Sequence, residues 1–144
     1  GDQVKADHGS KAAAVESILK GNPAAEPEDM VRARFSACRT KDAVFMGRTE
    51  RDPSRTNTEL RVRGWAVTFG IEERDPEKDG KMSNAEAFNN IQGLEIVEVS
   101  GKEVEFKIDC GKNGVLHERS IMVEDKKWGW VYSGDSIFEK WEER

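Results

Sequence analysis

Between Gln92 and Ser133 the chain alternates apolar and charged residues with a period of two, and this limits the fold more than any other feature. In Lys102–Cys110, Val104, Phe106, Ile108 and Cys110 are interleaved with Glu103, Glu105, Lys107 and Asp109. Successive side chains of a strand point to opposite faces, so this segment has one oily side and one charged side. Such a strand belongs to an antiparallel sheet covered on one face. Ser100-Gly101 and Asn113-Gly114 suit tight turns at its two ends. The spacing predicts a four-stranded meander over roughly 92–99, 102–110, 115–124 and 127–133. Everything before it reads as helical material covering the oily face. The fold class is therefore α+β.

The last hairpin has two readings. A two-residue turn at Asp125-Lys126 pairs Val123 with Trp128 and sets Ile121 and Arg119 on the face of Trp130 and Tyr132. A three-residue turn at Glu124-Asp125-Lys126 substitutes Met122, Ser120 and Glu118. One residue of slip turns every side chain over, and the residues alone leave both registers open.

The 144 residues suffice for one domain with a proper core. Hydrophobic residues make up 36% and charged residues 35%, with a net charge of −5. A negative chain without clustered cations does not read as a nucleic-acid binder. No apolar run reaches the roughly 18–20 residues of a membrane span, so membrane insertion is not expected. Cys38 and Cys110 have no Cys or His at ligand spacing, which predicts free buried thiols in a reducing compartment and no metal site. No cofactor signature is present.

Residues 1–11 are small and charged and read as a flexible arm, with His8 solvated. The single domain is then 12–144. Helices are predicted at Ala12–Lys20, stopped by Gly21-Asn22-Pro23, and at Asp29–Thr40, started by Pro27, Glu28 and Asp29. A shorter one follows at Lys41–Arg51 with Asp42 as its cap. The run RVRGWAVTFG alternates like a strand, yet Leu60, Gly64 and Val67 fit one helix face about as well, and a helix ending near Gly70 is favoured. In the second, Arg32 and Arg34 lie on different sides, and Arg34 is a candidate to point inward against a sheet carboxylate. The stretch of about 72–88 is a charged surface loop. Its DPEKDG string lacks the alternating oxygen ligands of a calcium loop. Ile137, Phe138 and Trp141 suggest a short C-terminal helix at about 136–143.

Two separated motifs carry a family resemblance. Arg32, Arg34, Phe35, Ser36 and Ala37 fit R-x-R-[YF]-S-A. His117, Glu118, Arg119 and Ser120, followed by Trp128, Trp130, Gly134 and Asp135, fit a strand ending in HERS, a turn, W-x-aromatic and Gly-Asp. The chain resembles YchJ-type members of the NTF2-like, cystatin-like α+β superfamily over about 28–50 and 90–135. It lacks the cysteine-rich SEC-C zinc motifs that flank bacterial relatives, and the loop near 70–88 looks inserted, as in a variant from a plastid stroma. The resemblance implies a cone, with a curved sheet wrapped around helices and a pocket at its open end. It also favours the three-residue hairpin, which sets Glu118, Ser120 and Met122 beside the Trp128/Trp130 face.

Acid–base chemistry in such a pocket needs a titratable group in a dry cavity. The catalytic candidates by type are His117, Glu118 and Asp135; Trp65, Trp128, Trp130 and Tyr132 form walls, with Arg34, Phe35 and Ser120 beside them. The competing expectation is a Glu118–Arg34 brace in a filled cone. Two functions follow. The first, favoured by the polar composition and loose termini, is a non-catalytic interaction module meeting a protein partner or a second copy through the open sheet face or terminal segments. The second is a binder, isomerase or hydrolase of a small apolar ligand. An open pocket holding a carboxylate with no arginine partner would favour the second.

Overall fold

A computed structural model of the chain describes residues 1–77 and 86–144. Among the described residues, five α-helices precede a four-stranded antiparallel sheet: α1 (Asp2–His8), α2 (Ala12–Leu19), α3 (Pro27–Thr40), α4 (Ala43–Arg48), α5 (Thr58–Thr68), β1 (Gly93–Ser100), β2 (Glu103–Asp109), β3 (Val115–Asp125) and β4 (Gly129–Glu142). The strands lie in the order β1-β2-β3-β4. The α+β class and the meander hold. No helix among the described residues is long and apolar enough to cross a membrane.

Local chemistry explains the helix ends. Pro27 opens α3, Glu28 and Asp29 occupy its first turn, and Lys41 in a left-handed conformation (φ 55°) closes it. The Asp42 carboxylate caps α4 by accepting from the Phe45 amide at 3.0 Å. Asn57 does the same for α5 from the Glu59 amide at 2.7 Å. α4 and α5 pack backbone to backbone, because a Cβ on Gly47 would lie 2.7 Å from the Val62 nitrogen.

The core fills the space between helices and sheet. Val104, Phe106, Ile108 and Cys110 are all buried against α3, with Met30, Phe35 and Cys38 opposite. β2 and β3 pair so that Phe106 faces Glu118 and Val104 faces Ser120, which turns Leu116, Glu118, Ser120 and Met122 to the same inner face.

Three expectations change. The hairpin turn has three residues, but they are Lys126, Lys127 and Trp128, since Asp125 pairs with Gly129. The Asp125 carboxylate fixes it by accepting from the amides of Lys127 (3.0 Å) and Trp128 (2.9 Å). Parity is as the family resemblance implied, with Met122 opposite Tyr132; Trp128 leaves the strand and packs edge-on to Phe45.

The segment at 136–143 is the second half of β4, not a helix. Ile137 and Trp141 are four apart, a spacing that fits one helix face and one strand face alike. Pairing with β3 decides it: Leu116 faces Trp141 and Glu118 faces Glu139. Residues 1–11 are no loose arm either. α1 is clamped by Arg39, which donates to the Asp7 carboxylate at 2.6 and 2.9 Å. His8 is buried, with Nε2 2.8 Å from Ser36 Oγ and its ring edge-on to Phe35. Both partners lie far along the sequence on α3, beyond what local composition reports.

The charged loop at 72–88 falls partly outside the described residues, and so does the DPEKDG string. Its far end enters the core, where Ala87 and Phe88 are buried. Cys38 and Cys110 are free and buried, and burial pushes their thiols up to about 12 and about 11.

Candidate functional site

A cavity of about 260 Å³ lies between α3, α5 and the inner face of the sheet. Apolar and aromatic side chains make most of its wall: Phe35, Trp65, Phe88, Phe106, Met122 and Trp141 among them. Trp65, Phe69 and Phe88 stack on one another, and Phe88 reaches Trp141 with ring centroids 5.9 Å apart. The mostly apolar lining with a few convergent polar groups is the usual make-up of a small-molecule site.

Three carboxylates line this wall, Glu50, Glu118 and the exposed Glu139, and the two buried ones are held differently. Glu50, between α4 and α5, is the partner of Arg34: Nη2 donates to Oε1 at 3.1 Å. Trp65 Nε1 donates to the same oxygen at 2.6 Å. Arg34 further donates to the Met46 carbonyl (2.9 Å) and Thr49 Oγ1 (2.8 Å), and its guanidinium lies over the rings of Trp65 and Tyr132. Both members of this buried pair are hydrogen-bonded, the guanidinium to three oxygens and Glu50 Oε1 to two donors, as interior charges require. Arg34 does point inward, but its carboxylate comes from the helical layer and not from the sheet.

Glu118 has no cation. Its Oε2 accepts from the hydroxyls of Ser120, by a very short hydrogen bond, and Ser136, at 2.9 Å. The Tyr132 hydroxyl lies 2.8 Å from Ser136 Oγ and extends the chain. Among the described residues, no protein donor reaches Oε1. The expected Glu118–Arg34 brace does not form. Burial raises the Glu118 pKa above the ordinary carboxylate range; the two serine hydroxyls pull it back, and Glu139 on the facing strand pushes it further up. Burial likewise raises the Tyr132 phenol.

Of the residues singled out by sequence, the cavity brings together Arg34, Phe35, Trp65, Glu118, Ser120 and Tyr132. The others lie elsewhere. His117 is on the outer face of β3 between Glu105 (2.9 Å) and Glu142 (3.1 Å). Asp135 is exposed and its carboxylate accepts from the Ser136 amide. Trp128 is in the hairpin turn, and Trp130 faces Glu124 further along β4. Among the described residues no group of three His, Cys, Asp or Glu side chains could hold a metal.

Sequence reasoning missed Glu50, Arg55, Arg61 and Glu139, which all line the cavity. Arg61 is the most informative omission. It is 5% exposed while its neighbour Leu60 is 57% exposed, the reverse of an ordinary amphipathic helix. Taking Leu60 as part of the apolar face hid this inversion. No protein-family model, no curated protein and no solved structure matches the chain.

Proposed function

We propose that the chain binds a small, largely apolar molecule in the cavity and exchanges a proton with it through Glu118. The carrying observation is a buried carboxyl group without a cation partner, both its hydroxyl donors on one oxygen, lining a largely apolar, aromatic cavity. A raised pKa brings such a carboxyl toward neutral pH, where it can serve as base and acid in turn. The short chain Tyr132–Ser136–Glu118 orients it and fixes which oxygen is left for a ligand. The curved layer of strands over helices supports reading the fold as an NTF2-like cone of the YchJ type, and in that reading the cavity is the cone's pocket.

Cyclohexanone is a suitable neutral probe. Saturation-transfer NMR reads its binding, and deuterium uptake at its α-carbons reads proton exchange. Binding is expected, with α-exchange above the buffer rate in the native chain and at the buffer rate in Glu118→Gln, which still binds. Absence of binding overturns the proposal, and exchange that Glu118→Gln leaves untouched removes Glu118 from it.

A second reading, the protein-interaction module, rests on the sheet edge. β1 pairs with β2 alone, and its Val97 and Val99 are 42% and 43% exposed. The edge is bent by a bulge between Ile96 and Glu98, yet its exposed valines leave it able to accept a partner's strand.

A further inference from the structure

The cavity is electrically lopsided. On the sheet side stand Glu118 and, at the mouth, Glu139. Across from them, α5 and the segment before it bring Arg55 and Arg61. Arg34 and Glu50 cancel each other as an ion pair, so the helix side carries an excess of two positive charges over its own carboxylates.

Neither arginine is neutralised. Arg61 spends its donors on uncharged oxygens: Nε on the Gly47 carbonyl at 2.8 Å, Nη1 on the Arg55 carbonyl at 3.0 Å and Nη2 on Thr58 Oγ1 at 3.0 Å. Those bonds satisfy geometry and leave the charge. A buried guanidinium ordinarily sits against a carboxylate. Arg55 makes no side-chain hydrogen bond and no ion pair among the described residues; its guanidinium lies over the middle of α5, where a Cβ on Gly64 would be 2.2 Å from Nη1. Glycine inside a helix costs about 1 kcal/mol relative to alanine. Here it leaves the space the guanidinium occupies. Leu60 turned to solvent and Arg61 turned inward complete the pattern of a helix oriented toward an anion.

We propose that the ligand is a small amphipathic anion, an aryl or alkyl carboxylate, with its charged end on Arg55 and Arg61, its apolar body against the joined rings of Trp65 and Phe88, and its far end at Glu118. This rests on the cavity being a ligand site and specifies the class of ligand. Arginine suits the role because its fork of donors matches a carboxylate bidentately. Lying on the wall opposite Arg55 and Arg61, Glu118 and Glu139 disfavour an anion bound in the reverse sense.

The test compares phenylacetate with its neutral isostere phenylacetamide by NMR titration of the whole chain. Phenylacetate is expected to bind at least about tenfold tighter. Gly64→Ala should abolish most of that preference, because the new methyl displaces only the far end of the Arg55 side chain. Its thermal midpoint should be unchanged or higher, which separates lost binding from lost fold. Arg55→Gln should lose the preference in the same way. Equal affinity for the two probes, or a preference that survives Gly64→Ala and Arg55→Gln, overturns the anion site and leaves the cavity reading intact. Failure of both probes to bind overturns both.

Discussion

Glu118 and Arg119 are neighbours on β3, yet one faces the cavity and the other faces water, and the sheet treats their charges in opposite ways. Inward, Glu118 has only hydroxyl partners and is pushed toward its neutral form. Outward, Arg119 is held by three carboxylates, Glu103 at 2.6 Å, Glu98 at 2.8 Å and Glu105 at 3.1 Å. A charge given ionic partners stays charged, whereas a buried carboxyl given only hydroxyls is pushed toward neutrality. The period-two pleat makes the contrast possible within two consecutive residues.

The largest effect should come from breaking the one inward charge that does have its partner. Arg34→Ala leaves Glu50 buried with only Trp65 as donor, and removal of one member of a buried pair costs about 3–5 kcal/mol. Urea unfolding reads this directly. Glu118→Gln should cost little or add stability at neutral pH. The native carboxyl keeps its proton above the pH, near 4.5, at which the unfolded chain loses it, so native stability falls as pH rises from there through the raised folded value. The difference between native chain and Glu118→Gln should follow that sign. Comparable losses in the two variants would erase the distinction between braced and unbraced carboxylates.

His8 tests the same rule from the opposite side of the helical layer. The Arg32 guanidinium can only donate, so Nδ1, 3.4 Å away, is unprotonated and Nε2 donates to Ser36. Burial lowers the His8 pKa from 6.5 to about 4, Arg32 adds to the effect, Asp7 opposes it and Arg39 adds slightly. The unfolded chain therefore takes up a proton that the native one refuses, and stability is lost as pH falls from about 6.5 to about 4. The loss should be on the order of 2 kcal/mol, read as the difference between the native chain and His8→Gln across that window. A pH-independent difference would mean that His8 takes up its proton as readily in the fold as in the unfolded chain.

How much of this was written in the sequence follows from the range of each interaction. Period-two strands, the Pro27 start and the Asp42 cap are local, and each was legible. Arg34 could be nominated because a buried arginine is conspicuous within one helix face. Its partner Glu50 could not, because only the packing of α3 against the α4–α5 connection brings them together. The β4 extension was misread because a spacing of four serves both periods. The inward turn of Arg61 was illegible for a stronger reason: it violates the hydrophobic pattern that sequence reading relies on, and such violations gather where a ligand is to be met.

The smallest effect belongs on the outer face. Arg119→Gln removes a guanidinium from three carboxylates that then face one another across β1 and β2. His117 Nε2 also donates to Glu105 at 2.9 Å, so that carboxylate keeps one neighbour. Exposed ion pairs gain little because water and salt screen them. The variant should therefore be only slightly weaker in urea at low ionic strength, and the deficit should shrink as salt is added. Glu118 and Arg34, shielded inside, should show no such salt dependence. A salt-insensitive loss at Arg119 as large as that of Arg34→Ala would mean that the outer face is itself closed off from water, as it would be beneath a partner protein or a second copy, and would shift the balance toward the interaction reading.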